Sequence, residues 1–450
     1  MLFLVLLLAT SGWALEAVEP HYPTSICATL KANYNEFPLG HLPESCESKP
    51  DTKRIQDALD KCGAGNAVKL VRGTGNAFLS GPLVIKGSVT LWIDAGVTLF
   101  ASRNPRDYDK DPHSCGVIGS DSTGCNPLIT VKKCSNNGIV GEGTIDGRGG
   151  QKMIGSNETW WELALRAKTT QKKQSCPRLI VVKKGSGFTL YKVRLHNSPN
   201  FHFVTHEIEG LTVWGVTVDT PSKAYPAGTK ARNTDAFDPN GKNIVISNCF
   251  INTADDNIAI KGGASHVANV LVENCHLYKG HGMSIGSETF TGIVNVTVRN
   301  LSIDGADNGL RIKSGPSYGG SVWGIRYENI CIRDTDAPLV FDAMYNTKKG
   351  SKIPNFHDIK VSNTHIINSN KKQAVFRGHK KFPLKITLDN VCSDVKLFNV
   401  TACDANITLG PGQVTNIPLT TNEAQNVHVS GHPGKSPTFD CSRMFVPFPR

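Results

Sequence analysis

A nine-residue pattern recurs at a fixed spacing in the middle of this 450-residue chain. "NIVISNCFI" begins at Asn243, "NVLVENCHL" at Asn269 and "NVTVRNLSI" at Asn295, so the copies start 26 residues apart. In each copy apolar residues occupy the second, fourth, seventh and ninth positions, and asparagine occupies the sixth. Looser copies begin at Asn137, Gly187, Gly210 and Gly324. A fixed period of this size indicates a solenoid, in which each repeat contacts only its neighbours.

The pattern within the repeat indicates which solenoid to expect. Alternating apolar residues predict strands, and the change of phase after the fourth residue predicts a corner. We expect the asparagines at the sixth position to stack as a hydrogen-bonded ladder: Asn248, Asn274, Asn300 and Asn329. A leucine-rich solenoid would need a helical half, which is missing, and a β-sandwich would show no fixed period. The sequence therefore predicts an all-β chain, folded as a single-stranded right-handed parallel β-helix of about ten coils.

The ends of the chain differ from the repeats. The apolar stretch "MLFLVLLLATSGWALEA" has the length of a signal peptide and is too short to span a bilayer comfortably. We expect a signal peptide at 1–15, the β-helix domain at 16–405, and a C-terminal extension of unassigned role at 406–450. Thirteen cysteines and five glycosylation sequons fit a secreted, extracellular protein. The sequons are at Asn157, Asn295, Asn300, Asn399 and Asn406.

The net charge narrows the choice of partner. Forty-nine Lys and Arg residues against 38 Asp and Glu give +11, which favours a nucleic acid, membrane headgroups or an acidic polysaccharide as partner. Secretion disfavours nucleic acid, and no second apolar segment suggests a membrane. We expect a monomer that binds an acidic polysaccharide.

The repeat also separates the cysteines into two groups. Cys249 and Cys275 occupy an inward apolar position, which predicts reduced thiols in the core. Cys115 and Cys125 bracket the turn-rich "GVIGSDSTG" and are candidates for a disulfide. Because thirteen is odd, at least one thiol is unpaired or pairs between molecules.

Residues at equal positions of the repeat should stack on rungs about 4.8 Å apart. Asp255 and His281 each lie twelve residues after the start of their repeats. The shared register brings three carboxylates, one histidine and two cations onto neighbouring strands: Asp235, Asp255, Asp256, His281, Arg311 and Lys313. An isolated Asp pair usually belongs to a solvated turn or a calcium site. In register with the other residues, it indicates a catalytic site.

Glycoside hydrolysis fits this set of residues. It needs one protonated and one ionised carboxyl group on either side of the bond. Crowding three carboxylates raises the proton affinity of one of them, which makes an acid available. The cations would hold a carboxylate-bearing sugar. No metal or other cofactor is expected.

The motifs "NTD", "DD", "GHG" and "RIK", in this order and spacing, resemble the polygalacturonases of glycoside hydrolase family 28. The resemblance runs from about residue 25 to about residue 400. "GTIDGRGG", "WWELA" and "GHGMSIGSET" look especially like the secreted bacterial endopolygalacturonases. The resemblance implies that Asp255 is the general acid and that Asp235 and Asp256 activate the attacking water. It also implies inversion of the anomeric centre.

The resemblance implies further roles. His281 would support the protonation state of the acid, while Arg311 and Lys313 would grip the galacturonate carboxylate. Asn233 of "NTD" and Tyr345 of "PLVFDAMYN" would contact the substrate. A disulfide between Cys27 and Cys62 is implied near the N-terminal end of the solenoid.

Two departures from the family pattern are visible. Ala236 and Ala254 stand where the family commonly has glycine, and an alanine is disfavoured where φ is positive. The insert "SKAYPAGTKA" before "RNTD" could crowd one end of a cleft. The resemblance implies an endo-acting hydrolase of the α-1,4 bonds of polygalacturonate. The alternatives are an exo-acting enzyme, a calcium-dependent pectate lyase and a catalytically silent, pectin-binding β-helix.

Overall fold

The computed structural model describes residues 15–38, 40–345, 350–420 and 424–449. Residues 1–14 of the predicted signal peptide lie outside the described residues. Most strands pair in parallel with the equivalent strand one coil later, and they form three long sheets. The predicted parallel β-helix is confirmed.

One sheet, named here the cleft sheet, carries most of the predicted site. Some of its strands continue past a corner into a second sheet. The strand Ile129–Gly141, for example, has thirteen residues and covers two faces of its coil. In order along the solenoid, the cleft sheet contains Leu83–Lys86, the first parts of Ile129–Gly141, Ile180–Tyr191 and Phe203–Trp214, then Phe237–Asp238, Ile258–Ile260, Met283–Gly286, Asn308–Lys313, Ala337–Asp342, Gln373–Arg377 and the first part of Asn399–Leu409.

The other two sheets complete each coil. The second sheet contains Ile26–Lys31, Ala67–Val71, Thr90–Ile93, Gly241–Ser247, Val267–Glu273, Ile293–Asp304, Ser321–Thr335, Ile359–Ser369, Leu384–Ser393 and Gln425–Gly431, with the later parts of the long strands above. The third contains Ala77–Ser80, Thr98–Ala101, Thr144–Asp146, Arg194–His196, Thr217–Asp219, Phe250–Asn252, His276–Leu277 and Val414–Thr415, and the ends of four second-sheet strands. Asn355–Phe356 pairs with Ser321–Thr335, and Val117–Gly119 pairs antiparallel with Lys173–Ser175.

The core is the interior of the solenoid. Inward side chains at equal positions stack from rung to rung, as Ile258, Met283 and Leu310 do in the cleft sheet. All three are fully buried. Because the chain meets the same inward position on every coil, a single apolar column runs along the axis.

Asparagines make the corners. The corner residues Asn274, Asn300 and Asn329 have φ of 52°, 53° and 58°, a left-handed conformation that asparagine tolerates better than most residues. Asn300 Nδ2 donates to Asn274 Oδ1 at 3.2 Å, and Asn329 Nδ2 donates to Asn300 Oδ1 at 3.1 Å. The ladder continues through Asn363 and Asn390. The predicted ladder is confirmed for these rungs.

The asparagine ladder differs from the prediction at its first residue, and a second asparagine ladder runs beside it. Asn248 Nδ2 donates to Ser247 Oγ at 2.9 Å, and among the described residues no side-chain hydrogen bond joins Asn248 to Asn274. A second ladder, not anticipated, joins the residues that start the repeats, with Asn269 Nδ2 3.0 Å from Asn243 Oδ1 and Asn295 Nδ2 3.3 Å from Asn269 Oδ1. The coils that begin at Asn269 and Asn295 are therefore joined at two corners.

Helices lie outside the solenoid. The α-helices are Thr52–Lys61 and Trp160–Thr169, and the 3-10 helices are Glu44–Ser48 and Pro105–Tyr108. Gln56 of the first α-helix donates to the Val84 carbonyl at 2.9 Å and accepts from the Val84 N–H at 2.8 Å. The helix thus covers the first rung of the cleft sheet. No helix in the described ranges is long and apolar enough to cross a membrane.

The cysteines follow the two predicted groups. The disulfides Cys27–Cys62 and Cys115–Cys125 are both present, and Cys249 and Cys275 are buried free thiols. A third disulfide, between Cys331 and Cys441, was not anticipated.

The C-terminal region continues the solenoid. The boundary expected at residue 405 falls inside Asn399–Leu409, whose later residues pair in parallel with Gln425–Gly431. Part of the extension expected at 406–450 therefore adds a rung. The chain beyond that rung returns along the body, where the disulfide to Cys331 fastens Cys441.

The corner geometry yields a stability prediction at Asn329. Replacing it with alanine removes a ladder donor and the short polar side chain that lets asparagine tolerate positive φ, so we expect the free energy of unfolding to fall by about 1–2 kcal/mol. Asn329→Gly keeps the backbone geometry and should lose less. Denaturant unfolding of the three proteins measures the difference. An alanine variant as stable as the unmodified protein would contradict this account of the corner.

Candidate active site

The predicted residues meet on four successive rungs and in the turns before them. Asp235 lies just before Phe237–Asp238, the Asp255–Asp256 pair just before Ile258–Ile260, and His281 just before Met283–Gly286. Arg311 and Lys313 lie within the next strand. Parallel pairing sets Ser284 beside Arg311, so side chains far apart in sequence face the same space. The structure brings together all six residues of the predicted cluster.

Asp256 is the most tightly held carboxylate. It is 1 % exposed, and both of its oxygens are bound. Lys313 Nζ lies 2.7 Å from Oδ2, the Arg311 guanidinium binds Oδ1, and Ser284 Oγ donates to Oδ1 at 3.2 Å. Burial acts to raise the pKa of Asp256, but the positive charges of Lys313 and Arg311 outweigh it and hold that pKa well below its usual range. Asp256 is therefore ionised.

Asp255 faces the cleft. Its side chain is 16 % exposed, and His281 Nδ1 lies 3.1 Å from its Oδ1. The backbone N–H of Asn233 donates to its Oδ2 at 3.1 Å. Burial acts to raise the pKa of Asp255, yet the hydrogen bond from His281 brings that pKa below its usual value. The other ring nitrogen of His281 lies 3.3 Å from Asp307 Oδ2.

Asp235 has the opposite character. It is 4 % exposed, and its Oδ1 has no hydrogen-bond partner. Burial, followed by the charges of Asp255 and Asp238, raises the pKa of Asp235 well above its usual range. Crowding by neighbouring carboxylates, which was expected from the sequence, thus raises the proton affinity of Asp235. The implied acid, Asp255, is ionised instead, because it accepts hydrogen bonds that Asp235 lacks.

Two charged residues of the cluster were missed from the sequence. The partly buried Lys261 places its Nζ 3.9 Å from Asp235 Oδ2. Burial raises the pKa of Asp238 to about 6, against the attraction of Lys261. A signal for Lys261 was present in the repeat, since it lies eighteen residues into its unit, as Lys313 does in its own. Asp238 has no such counterpart.

The residues expected to bind substrate differ in their exposure and in their partners. Arg311 and Lys313 are 4 % and 7 % exposed and are both paired with Asp256, so neither is a free cation at the surface. Tyr345 is 47 % exposed, and Lys313 Nζ lies 5.6 Å from the centre of its ring. Gln174 Nε2 lies 3.5 Å from Asn233 Oδ1. Their contact with a substrate stays a prediction.

The insert before "RNTD" forms one wall of a cavity. Lys223, Tyr225 and Thr229 face His281 and Asp307 across a space of about 770 Å³. The insert thus bounds the region in front of the cluster.

The two alanines do not strain the backbone. Neither Ala236 nor Ala254 has a positive φ. Ala236 is fully buried, whereas Ala254 lines the cavity. The concern about positive φ therefore does not apply to either residue.

One group in the described residues has the spacing of a metal site. Ligand atoms of Asp255, Asp256 and His281 all lie within 4.8 Å of one another. Asp256, however, is already neutralised by a lysine and an arginine, which a cation would have to displace. This charge balance favours acid–base chemistry over metal binding.

Comparisons with known proteins agree on one family. The profile of the glycosyl hydrolases family 28 matches residues 62–428. A polygalacturonase of Ralstonia solanacearum is 42 % identical, with 97 % of this chain and 93 % of that protein covered. An endo-polygalacturonase of Pectobacterium carotovorum subsp. carotovorum is 44 % identical over 83 % of this chain and 88 % of that protein. The solved structure of a polygalacturonase from Erwinia carotovora ssp. carotovora has a TM-score of 0.72 and 37 % identity, and covers 94 % of this chain and 98 % of that one.

The raised pKa of Asp235 predicts a pH-dependent cost to stability. Where a carboxyl binds its proton more tightly in the folded state, unfolding releases that proton, so stability falls as pH rises above the ordinary carboxyl pKa. Asp235→Asn cannot ionise, and we expect it to be more stable than the unmodified protein at neutral pH. The difference should shrink towards pH 4. Denaturant unfolding at several pH values measures it, and parallel stability curves for the two proteins would contradict the assignment.

Proposed function

The chain belongs to glycosyl hydrolase family 28, and we propose that it is an endo-acting, inverting polygalacturonase that works outside the cell. It is a glycoside hydrolase that acts on polygalacturonate, as its family and its endo-polygalacturonase relatives support. The observation that carries the finer proposal is the division of the carboxylates. Asp255 is open to the cleft, while Asp235 and Asp256 are buried behind it.

Asp255 is proposed as the general acid, and substrate binding is proposed to raise its pKa so that it becomes protonated. A uronate polymer brings negative charge next to Asp255 and excludes water, and both effects raise the pKa of a carboxyl. His281 keeps the group aligned through its 3.1 Å contact. The protonated Asp255 then delivers its proton to the leaving glycosidic oxygen.

Asp235 and Asp256 are proposed to bind and activate the attacking water. The charge of Asp255 is the strongest of the charge effects that raise the pKa of Asp235. Once Asp255 is protonated, that repulsion disappears and the pKa of Asp235 falls. The two titrations are therefore coupled: protonation of the acid Asp255 lowers the pKa of Asp235, which can then lose its proton and act as the base. Asp256, held ionised by Arg311 and Lys313, adds a second acceptor for the water.

Inversion follows from the proposed positions of acid and base. Side chains that reach from rungs about 4.8 Å apart can separate two carboxyl groups by roughly 6.5–9.5 Å, which leaves room for a water molecule. Retention would need a nucleophile at about 5–5.5 Å and a covalent intermediate. Asp235, which lies one rung before Asp255, suits the first arrangement, whereas Asp256 has a carboxylate oxygen within 4.8 Å of one of Asp255 and serves as the second acceptor for the water.

Extracellular action is supported by the substrate and the cysteines. A polymer of galacturonate is too large to enter a cell, and three disulfides suit an oxidising environment. The carboxamides of Asn295 and Asn300 donate within the two corner ladders. We therefore place any glycosylation at the exposed sequons Asn157, Asn399 and Asn406.

Sizing the products made from demethylated pectin tests the proposed function. We expect a wide range of oligomers early in the reaction, with one new reducing end for each bond that is cut. A chelator should not change the rate. Asp255→Asn should lower kcat by at least about a hundredfold, because it cannot donate the proton. Monomers alone would indicate an exo-acting enzyme, and unsaturated products lost with chelator would indicate a lyase. A fully active, folded Asp255→Asn would remove this residue from the acid's role.

The stereochemistry provides a separate prediction. Proton NMR of the first product from an α-1,4-linked oligogalacturonate should show the β-anomer, which then mutarotates. The α-anomer appearing first would mean that a carboxylate attacks the sugar directly, and would overturn the roles given to Asp235 and Asp256.

A further inference from the structure

A line of basic residues crosses the cleft sheet on the N-terminal side of the cluster. Lys86 pairs with Lys132, Lys132 with Lys183, and Lys183 with His206, each one rung from the last. The pairings of Val204 with Asp238 and of Phe237 with Ile258, continued at the same offsets, place Asn240 and then Lys261 at this position on the next two rungs. The amide of Asn240 bonds the Lys261 carbonyl at 2.7 Å. We call Lys86, Lys132, Lys183 and His206 the cation column.

The column faces outward. The residues before Lys132 and Lys183 are Val131 and Val182, which lie in the core, so alternation turns the lysines to the surface. Both lysines are exposed. Among the described residues, no carboxylate lies within ion-pair distance of either, whereas Lys86 has Asp60 at 3.4 Å. The two middle members of the column are therefore unneutralised.

The cations of this region repel one another. The pKa of Lys183 lies below its usual value because of partial burial and the charges of Lys110, Lys132 and Arg178. Arg178 also has no carboxylate partner in the described chain, and its guanidinium lies 5.0 Å from the centre of the Phe201 ring. Uncompensated like charges in one column lower the stability of the free protein, and a polyanion would relieve the repulsion.

The column joins the catalytic cluster. A cavity of about 150 Å³ is lined by Arg178 and His206 on one side and by Asp238, Lys261 and Glu288 on the other. At about 4.8 Å per rung, Lys183 is roughly 14 Å from the Lys261 rung and Lys132 roughly 19 Å from it. One rung is close to the length of one sugar residue in an extended 1,4-linked chain.

We propose that Lys132 and Lys183, with Arg178 beside them, bind the carboxylates of galacturonate residues several units away from the bond that is cut. The inference rests on the proposed function and extends its site by three to four rungs along the sheet. A chain lying along the rungs offers one carboxylate per sugar, and the column offers a lysine cation on the rungs of Lys132 and Lys183, while burial lowers the pKa of His206 to about 4 and leaves that ring uncharged at neutral pH. These contacts favour long substrates.

Matched double variants test the proposal. Lys132→Gln with Lys183→Gln removes two charges from the column, and Lys133→Gln with Lys184→Gln removes two charges from the next positions in the chain. Lys133 and Lys184 stand at corners with φ of 52° and 59°, and Lys184 pairs with Glu207 at 3.3 Å. All three proteins are assayed on polygalacturonate, and on a galacturonate trimer that is too short to span from the cleavage site to Lys132.

The column variant should raise KM for the polymer about tenfold, at about threefold per lysine, with kcat unchanged. The corner variant should stay near the unmodified protein, and trimer hydrolysis should be the same in all three. Equal changes in both double variants would show general attraction by net charge and overturn the proposal, as would an unchanged column variant. If the unmodified protein hydrolyses neither substrate, the proposed function itself has failed.

Discussion

The parallel register of the coils is the constraint on which this molecule depends. A shift of one residue would turn every outward side chain of a strand inward, so the catalytic cluster exists only while each coil stays aligned with the next. The two asparagine ladders hold that alignment at the corners, where backbone at positive φ would otherwise be the weakest point. The positions of the catalytic side chains therefore depend on the hydrogen bonds between the corner asparagines.

The same register explains why the carboxylates differ. Asp255 and Asp256 are adjacent in sequence, yet one reaches the cleft and the other reaches two cations supplied from the strand two rungs on. Asp235, one coil earlier, has Lys261 at 3.9 Å and is repelled by the charges of Asp255 and Asp238. Three identical side chains therefore have three different proton affinities. The difference comes from the neighbours that the stacked rungs provide.

Much of this arrangement could be predicted from the sequence, because a repeat converts linear spacing into spatial position. The β-helix, the ladder from Asn274 to Asn329 and the six-residue cluster all follow from offsets within a unit. What could not be predicted depends on packing around a single residue. The high pKa of Asp235 arises from burial, and the Cys331–Cys441 disulfide joins residues 110 apart in sequence through a segment outside the repeat. The departure of Asn248 from its ladder is likewise local.

The helix Thr52–Lys61 affects whether another chain can add to the end of the cleft sheet. A stack of parallel strands ends in a row of unpaired amides and carbonyls, which is the kind of template on which another chain can add. Gln56 takes up both backbone groups of Val84 on the first rung of the cleft sheet, in the way an additional strand would. The side chain acts as a terminator of strand addition. At this rung it occupies the backbone groups on which a further strand could pair, in a fold that shares its rung spacing with amyloid fibrils.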